Sequence, residues 1–503
     1  MSLSGLFFYS NEHLTVIPQL LYWLNIKLFA GSNIALGLID VGVVLGTVAF
    51  LGLMVRELYL DRTVRLAIFT LSVAILFGLS GAWNFIYGMS GAAWLSANLF
   101  VVAAVYFRGR EKYWAAAIAA VFATASYGTG IFVWPSIIAV GVAQRHFTEW
   151  WREWPFVVAF LVAITLVSNS TDLHPQLWAY DYLLIGRMAA DFLGNSIGLS
   201  AHWAQAAGWV ALVGTPACAI YLAFFARLGT GASWIGVAAY AWSSLLIITQ
   251  GRAMLWDGTY PGRYYSIGAL VWLGFSVLLI LAVKNIDRVQ SGPIENGDTE
   301  KRWWSRQPWA FVRTIFPYVL VVPLTLSGIM SAGPELEKRD LGIHGQELKE
   351  IALQLDAVDG SVGYMETLPS SNKQFDSTRH LRLHGHYPFV NDWNLDCGLL
   401  GQRLSSLAPR RMGGKVDNVV PVKRLESVNR IGGIIPDPRM VNGTIRCILL
   451  TDSSGLVVGV GVPQQKPDGN KNRSFIALAR RIEGDYKVVF FDDGPEPILA
   501  RGR

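Results

Sequence analysis

YWAAAIAAVFATASYGTGIFVWPSIIAVGVAQ, residues 113–144, decides how the chain is threaded. The stretch is almost wholly apolar and too long for one comfortable membrane crossing, which takes about 20 residues to span a hydrocarbon core of about 30 Å. Ser126-Tyr127-Gly128-Thr129-Gly130 interrupts it with turn-forming residues. The pattern predicts two short helices, 113–126 and 130–144, joined by a tight turn. One tilted, kinked helix is the alternative, and it would exchange the two sides of the membrane for everything downstream.

Similar apolar runs flank this stretch, at about 33–55, 66–84, 91–107, 155–171, 205–226, 232–250, 264–283 and 310–331. With the hairpin, the expected fold is an α-helical polytopic membrane protein of about ten transmembrane helices. The loops 56–65, 108–112, 145–154, 227–231 and 284–309 then share one side. They hold the Lys and Arg of this region in large excess over the other side, which has Lys27, Arg187, Arg252 and Arg263. Positive loops are cytoplasmic, so both termini are expected outside. Composition agrees: 52% of residues are hydrophobic and 16% charged, against about 25% charged in soluble proteins. The net charge of +6 mostly reflects cytoplasmic Lys and Arg, so no nucleic-acid partner is expected.

Three regions follow. Residues 1–32 read as an exterior or interfacial segment, amphipathic rather than spanning, with Tyr22 and Trp23 at headgroup level. Residues 33–331 form the transmembrane domain. In 332–503 charge rises and turn residues multiply, which predicts a soluble exterior α+β domain. There His344 to Ala357 reads as an amphipathic helix. Thr444–Leu450, Leu456–Val462, Phe475–Ala479 and Tyr486–Phe491 read as strands of an antiparallel sheet or sandwich. Three cysteines exclude a disulfide scaffold. Cys397 and Cys447 share the tail and can pair if it faces an oxidising compartment. No removable signal peptide is expected at the start.

Candidate chemistry concentrates on the exterior side. Asn11-Glu12-His13 sets an amide, an acid and a base together. A carboxylate at an apolar boundary can be tuned to act as a general base, which makes Glu12 the first candidate, with His13 orienting it or binding phosphate. The plain alternative is the polar stripe of an interfacial helix. Arg252, Arg263 and Tyr264 suit capture of a lipid phosphate, although membrane-edge arginines also snorkel to headgroups. Asp257 lies between the two arginines and can pair with either. Trp83, Asn84, Asp181 and Arg187 are further lining candidates, and Asp172, His174 and Asp181 carry ligand types that suit a divalent metal. No cofactor is specified by any motif. Asp40, inside the first span, is either a functional acid or a hydrogen-bonded tie to a neighbouring helix.

Asn11-Glu12-His13 with Pro18, then Trp83-Asn84 with Gly88 and Trp94, Tyr127-Gly128 with Trp134-Pro135, Leu193-Gly194, Gly251-Arg252 and Arg263-Tyr264 together resemble bacterial multispanning proteins of the glycosyltransferase C superfamily. The plan of many spans and an exterior C-terminal domain is similar to that of O-antigen-modifying glucosyltransferases. The resemblance implies an inverting hexosyltransferase in the bacterial cytoplasmic membrane, with a polyprenyl-phosphate sugar as donor and a glycan or glycolipid as acceptor. It implies Glu12 as base, and a further transmembrane helix ahead of the first exterior loop, where this sequence has Met1. Met89-Ser90 departs from the aromatic and Gln expected after Gly88. The rival expectations are a transporter or flippase, which predicts repeats and buried midplane charge, and a noncatalytic membrane scaffold.

Overall fold

The computed structural model describes residues 9–10, 13–78, 81, 83–86, 88–144, 151–170, 180–198, 201–226, 228–252, 264–290, 315–327, 350–351, 354–355, 399–404, 411–412, 414–421, 428–436, 445–464 and 472–492. The chain divides into two compact units, Met1–Asn25 with Asn33–Leu336, and Ile26–Ser32 with Glu337–Arg503.

The first unit is helical. Two short strands, β1 (Tyr9–Ser10) and β2 (His13–Leu14), pair antiparallel and lead into helix α1 (Val16–Phe29). The amphipathic segment expected over 1–32 is therefore a strand pair followed by a helix. Then come α2 (Asn33–Arg56), α3 (Arg62–Leu76), the four-residue α4 (Trp83–Ile86) and α5 (Gly88–Gly109). The deciding stretch forms α6 (Tyr113–Thr124), a 3-10 turn (Gly128–Phe132) and α7 (Val133–Ala143). It is a hairpin and not one kinked helix. Gly130 folds back so closely that a Cβ there would lie 1.8 Å from the Ala123 carbonyl oxygen, and Trp134 Nε1 donates to Thr124 Oγ1 at 3.0 Å across the turn. The chain continues through α8 (Trp154–Ser170), α9 (Tyr182–Ser196), α10 (Ala201–Phe225), α11 (Ser233–Arg252), α12 (Tyr265–Gln290) and α13 (Ile315–Ser327). The stretch 172–204, expected as an exterior loop, contains α9, whose buried face carries Ile185, Met188, Phe192 and Leu193.

Among the described residues five helices are long and apolar enough to cross a membrane, and α6, α7, α8 and α13 are shorter apolar helices. Ile34, Leu38 and Leu45 on α2 and Val210, Val213, Ile220 and Phe224 on α10 stand exposed. Apolar surface on this scale needs a nonaqueous neighbour. Exposed Tyr59, Trp114, Trp151, Tyr182 and Trp203 sit at or near helix ends, where amphipathic rings favour the headgroup layer. The protein is membrane-associated.

Described residues from the loops that the charge pattern places together meet in the structure. Arg108, at the end of α5, is fully buried (0% exposed) and pairs with Glu153, just ahead of α8. Its Nη1 donates to Gln144 Oε1 at 2.8 Å, and its guanidinium lies 4.8 Å from the Tyr113 ring centre. Gln144 Nε2 donates onward to Gly109 O at 2.8 Å and Gly229 O at 3.4 Å. Arg110 pairs with Glu57, and Lys284 Nζ bonds Asp61 Oδ2 at 3.0 Å. Glu57, Asp61, Arg108–Arg110, Gln144, Glu153, Gly229 and Lys284 are thus linked at one end of the bundle.

In the second unit seven antiparallel strands form one sheet in the order β3-β9-β6-β7-β8-β5-β4. They are β3 (Arg411–Met412), β4 (Lys415–Pro421), β5 (Val428–Pro436), β6 (Ile445–Thr451), β7 (Val457–Gln464), β8 (Asn472–Arg480) and β9 (Lys487–Asp492). The sheet is curled and is not a sandwich. β3 pairs with β9 at one edge, while β4, two residues later, pairs with β5 at the other, so one run of chain joins both edges. Gly414 sits in the seam, where a Cβ would lie 2.6 Å from Val488 of β9 and 3.1 Å from Ile435 of β5. Ile431, Ile435, Ile448, Leu450, Phe475 and Val488 fill the face that the strands themselves enclose. The opposite face carries Val428, Cys447, Leu449, Leu478 and Val489 and is covered by Ile351, Leu355 and Leu399–Leu404. A register shift at the end of the β6–β7 pairing turns Val458 to the enclosed face and Val457 to the covered one. Cys447 is disulfide-bonded and Cys218 is free; Cys397 lies outside the described residues.

Candidate functional site

The site is built on the packing of α2 against the α4–α5 junction. Small residues let these backbones approach: Cβ atoms added at Gly37, Gly88 and Gly91 would meet Phe85 O at 3.0 Å, Leu36 Cγ at 2.8 Å and Asn84 O at 2.0 Å. Asp40 on α2 faces this junction, fully buried (0% exposed), with neither carboxylate oxygen hydrogen-bonded. Among the described residues no hydrogen bond ties Asp40 to a neighbouring helix. Asn84, from α4, is 1% exposed and its Oδ1 has no partner.

Gly91, Trp94 and Asn98 follow one another along one face of α5 at helical spacing. The buried Trp94 ring meets Tyr127 at 4.2 Å and Tyr264 edge-on at 5.0 Å. One turn further in, Asn98 Oδ1 accepts from the Tyr240 hydroxyl at 2.8 Å, and Tyr240 lies 3.5 Å from Thr129 Oγ1. The start of α1 is tied to the same region, since Ile17 N donates to Ala125 O at 3.1 Å. Partly buried Tyr22 on α1 feels Asp40 and Tyr127; burial first, then those two groups, push its hydroxyl above the ordinary tyrosine range. Beside Asn84, a cleft of about 10 Å³ is lined by Phe85, Leu95, Ser196, Tyr265 and Ser266 and has room for about one water.

The structure brings Asn84 and Tyr264 into this one neighbourhood. Trp83 lies on α4 next to Asn84. Asp181 caps α9, its Oδ1 accepting from Leu183 N at 2.9 Å and Leu184 N at 3.1 Å. Arg187 on α9 and Arg252 at the end of α11 are exposed. His13 pairs through its backbone in β2. Asn11, Glu12, Asp172, His174, Asp257 and Arg263 lie outside the described residues, as does most of the helix expected at His344 to Ala357. Among the described residues no three His, Cys, Asp or Glu side chains converge to hold a metal. Gly91, Asn98 and Tyr240 were not singled out from sequence, and Tyr22 and Thr129 were read only as a headgroup-level ring and a turn residue. The available signal was a polar residue inside an apolar run, as Asn98 and Tyr240 both are.

No family model matches the chain, and neither a curated protein nor a solved structure does.

Proposed function

We propose that the protein is a membrane glycosyltransferase that moves a sugar from a polyprenyl-phosphate donor to a lipid-linked or cell-surface glycan on the exterior face of the bacterial cytoplasmic membrane. The observation that carries this reading is the convergence of Trp94, Tyr127 and Tyr264, three residues of the resemblance that are far apart in sequence. Asn84 lies beside them, and the segment bearing Glu12 leads into a helix tied to Ala125. Glu12 takes the proton from the acceptor hydroxyl. Arg252, Arg263 and Tyr264 hold the donor phosphate as negative charge builds on it. Asn11, His13, Trp83, Asn84, Asp172, His174, Asp181, Arg187 and Asp257 line the approach.

The proposed topology has ten spans, both termini outside and the curled sheet in the periplasm. Contacts among described residues of the basic loops, at one bundle end, support it. A disulfide at Cys447 supports an oxidising surrounding for the tail. A transporter is the second reading, favoured by the unpartnered intramembrane carboxylate of Asp40.

Glu12→Gln tests the first reading. General base catalysis is worth roughly 10²–10⁴-fold, so transfer of labelled sugar in membranes should fall by about that factor at matched expression. Near-normal turnover would remove Glu12 as base.

A further inference from the structure

A side-chain oxygen and a backbone oxygen meet between α2 and the α4–α5 junction: the point that a Gly91 Cβ would occupy is 2.2 Å from Asp40 Oδ2 and 2.0 Å from the backbone oxygen of Asn84. Both carboxylate oxygens of Asp40 and the Oδ1 of Asn84 are buried without a hydrogen-bond partner among the described residues. All of these atoms are acceptors when Asp40 is ionised. A carboxylate withdrawn from water with no donor is costly, and a bound cation removes that cost. The backbone geometry suits such an ion, because α4 and α5 are separate helices and the backbone oxygen of Asn84 on the first reaches the Gly91 position of the second. Interrupted membrane helices present carbonyl oxygens to cations in this way.

We propose that Asp40 and Asn84 bind a dehydrated monovalent cation, Na⁺, at this junction. One carboxylate matches one positive charge. Ca²⁺ takes six to eight oxygens and Mg²⁺ keeps several waters, more than one carboxylate and its neighbours in a buried position supply. Gly91 keeps the place open, since any side chain there would occupy it. The site does not depend on the transfer chemistry proposed above.

The test uses the full-length protein in detergent at constant ionic strength, with Na⁺ exchanged for K⁺ or choline. Na⁺ should raise the unfolding temperature saturably, by about 5 °C at a hundredfold excess over its Kd, with a smaller effect from K⁺. Asp40→Asn should abolish the shift, and Asn84→Ala should move its midpoint to higher Na⁺. Radiosodium binding to the unaltered protein should saturate at one ion per chain, a readout that stands even if Asp40→Asn fails to fold. Absence of saturable sodium binding would overturn the proposal, as would a Na⁺ shift that survives in Asp40→Asn. In the first case Asp40 carries a proton instead.

Discussion

Replacing Glu153 by Gln should leave Arg108 charged, buried and short of its carboxylate. The guanidinium has no exposed surface, so water cannot take the place of the lost partner. Breaking a buried pair from one side costs about 3–5 kcal/mol. Two neighbours soften the loss: Gln144 Oε1 still accepts from Nη1 at 2.8 Å, and the Tyr113 face remains 4.8 Å away. The expected cost is therefore near the lower end, about 3 kcal/mol, or about 5 °C in unfolding temperature. Glu57→Gln is the internal comparison. Its partner Arg110 is partly exposed (21%), so that change should cost no more than about 1 kcal/mol. Arg108→Met combined with Glu153→Leu should recover most of the loss, with a coupling of about 2 kcal/mol. Unfolding of the full-length protein in detergent, followed by tryptophan fluorescence, measures all three variants. A Glu153→Gln cost no larger than that of Glu57→Gln, or a double variant no better than the single, would refute the reasoning.

Gly130→Ala should prevent correct folding, because its Cβ meets the Ala123 carbonyl at 1.8 Å, whereas Gly42→Ala, with nothing within 4 Å, should be neutral or slightly stabilising; the monodisperse yield of each separates them. Cysteine at Gly297 should be shielded from an impermeant thiol reagent in intact cells and cysteine at Asn470 labelled, and the reverse pattern would sink the proposed topology. Hydrogen bonds from Ser454, then from the Leu456 amide, with Arg403 nearby, hold the Asp452 carboxyl below the usual range. A depressed carboxylate stabilises above its unfolded value, near 3.9, and loses that contribution as pH falls through its folded value. Exchange protection of the Ser454 and Leu456 amides, corrected for intrinsic rate, should therefore drop in acid below pH 4, and Asp452→Asn should show the loss already at neutral pH.

Much of the helical layout was legible because apolar runs long enough to span a bilayer have few other uses, and because Gly130 and its neighbours favour a turn over a kinked helix. The basic loops were equally legible, since Lys and Arg distribution is a one-dimensional signal. The contacts joining those loops were not, because Arg108 to Glu153 is a long-range pairing that no local pattern encodes. In the tail the four apolar strands were read from alternation, while β3, β4 and β5 were missed. Lys415–Pro421 is mostly exposed and mixes its valines with Lys415, Asp417 and Asn418, and Gly432-Gly433 interrupts the alternation of Val428–Pro436. Gly433 is there for a tertiary reason: a Cβ would meet Lys415 O at 2.3 Å and the Phe475 ring at 2.5 Å. The outer cluster was half legible. Trp94, Tyr127 and Tyr264 stood out as motif residues, but that Asp40 ends against Asn84 and Gly91 depends on how α2 meets a helix break.

The seam at Gly414 also fixes an order of events during synthesis. Arg411–Met412 finds its partner only in Lys487–Asp492, the last strand to emerge. At about 5–20 residues per second the ribosome leaves the sheet unclosed for seconds, with the free edge of Ile445–Thr451 and its apolar face unsheltered. Because closure waits on a contact between distant points of the sequence, this unit should fold slowly and as a whole once Asp492 is available. A chain interrupted between Arg480 and Lys487 would keep most of its strands yet present an open edge to other chains, which makes that short segment the place where truncation should turn a folded tail into an aggregating one.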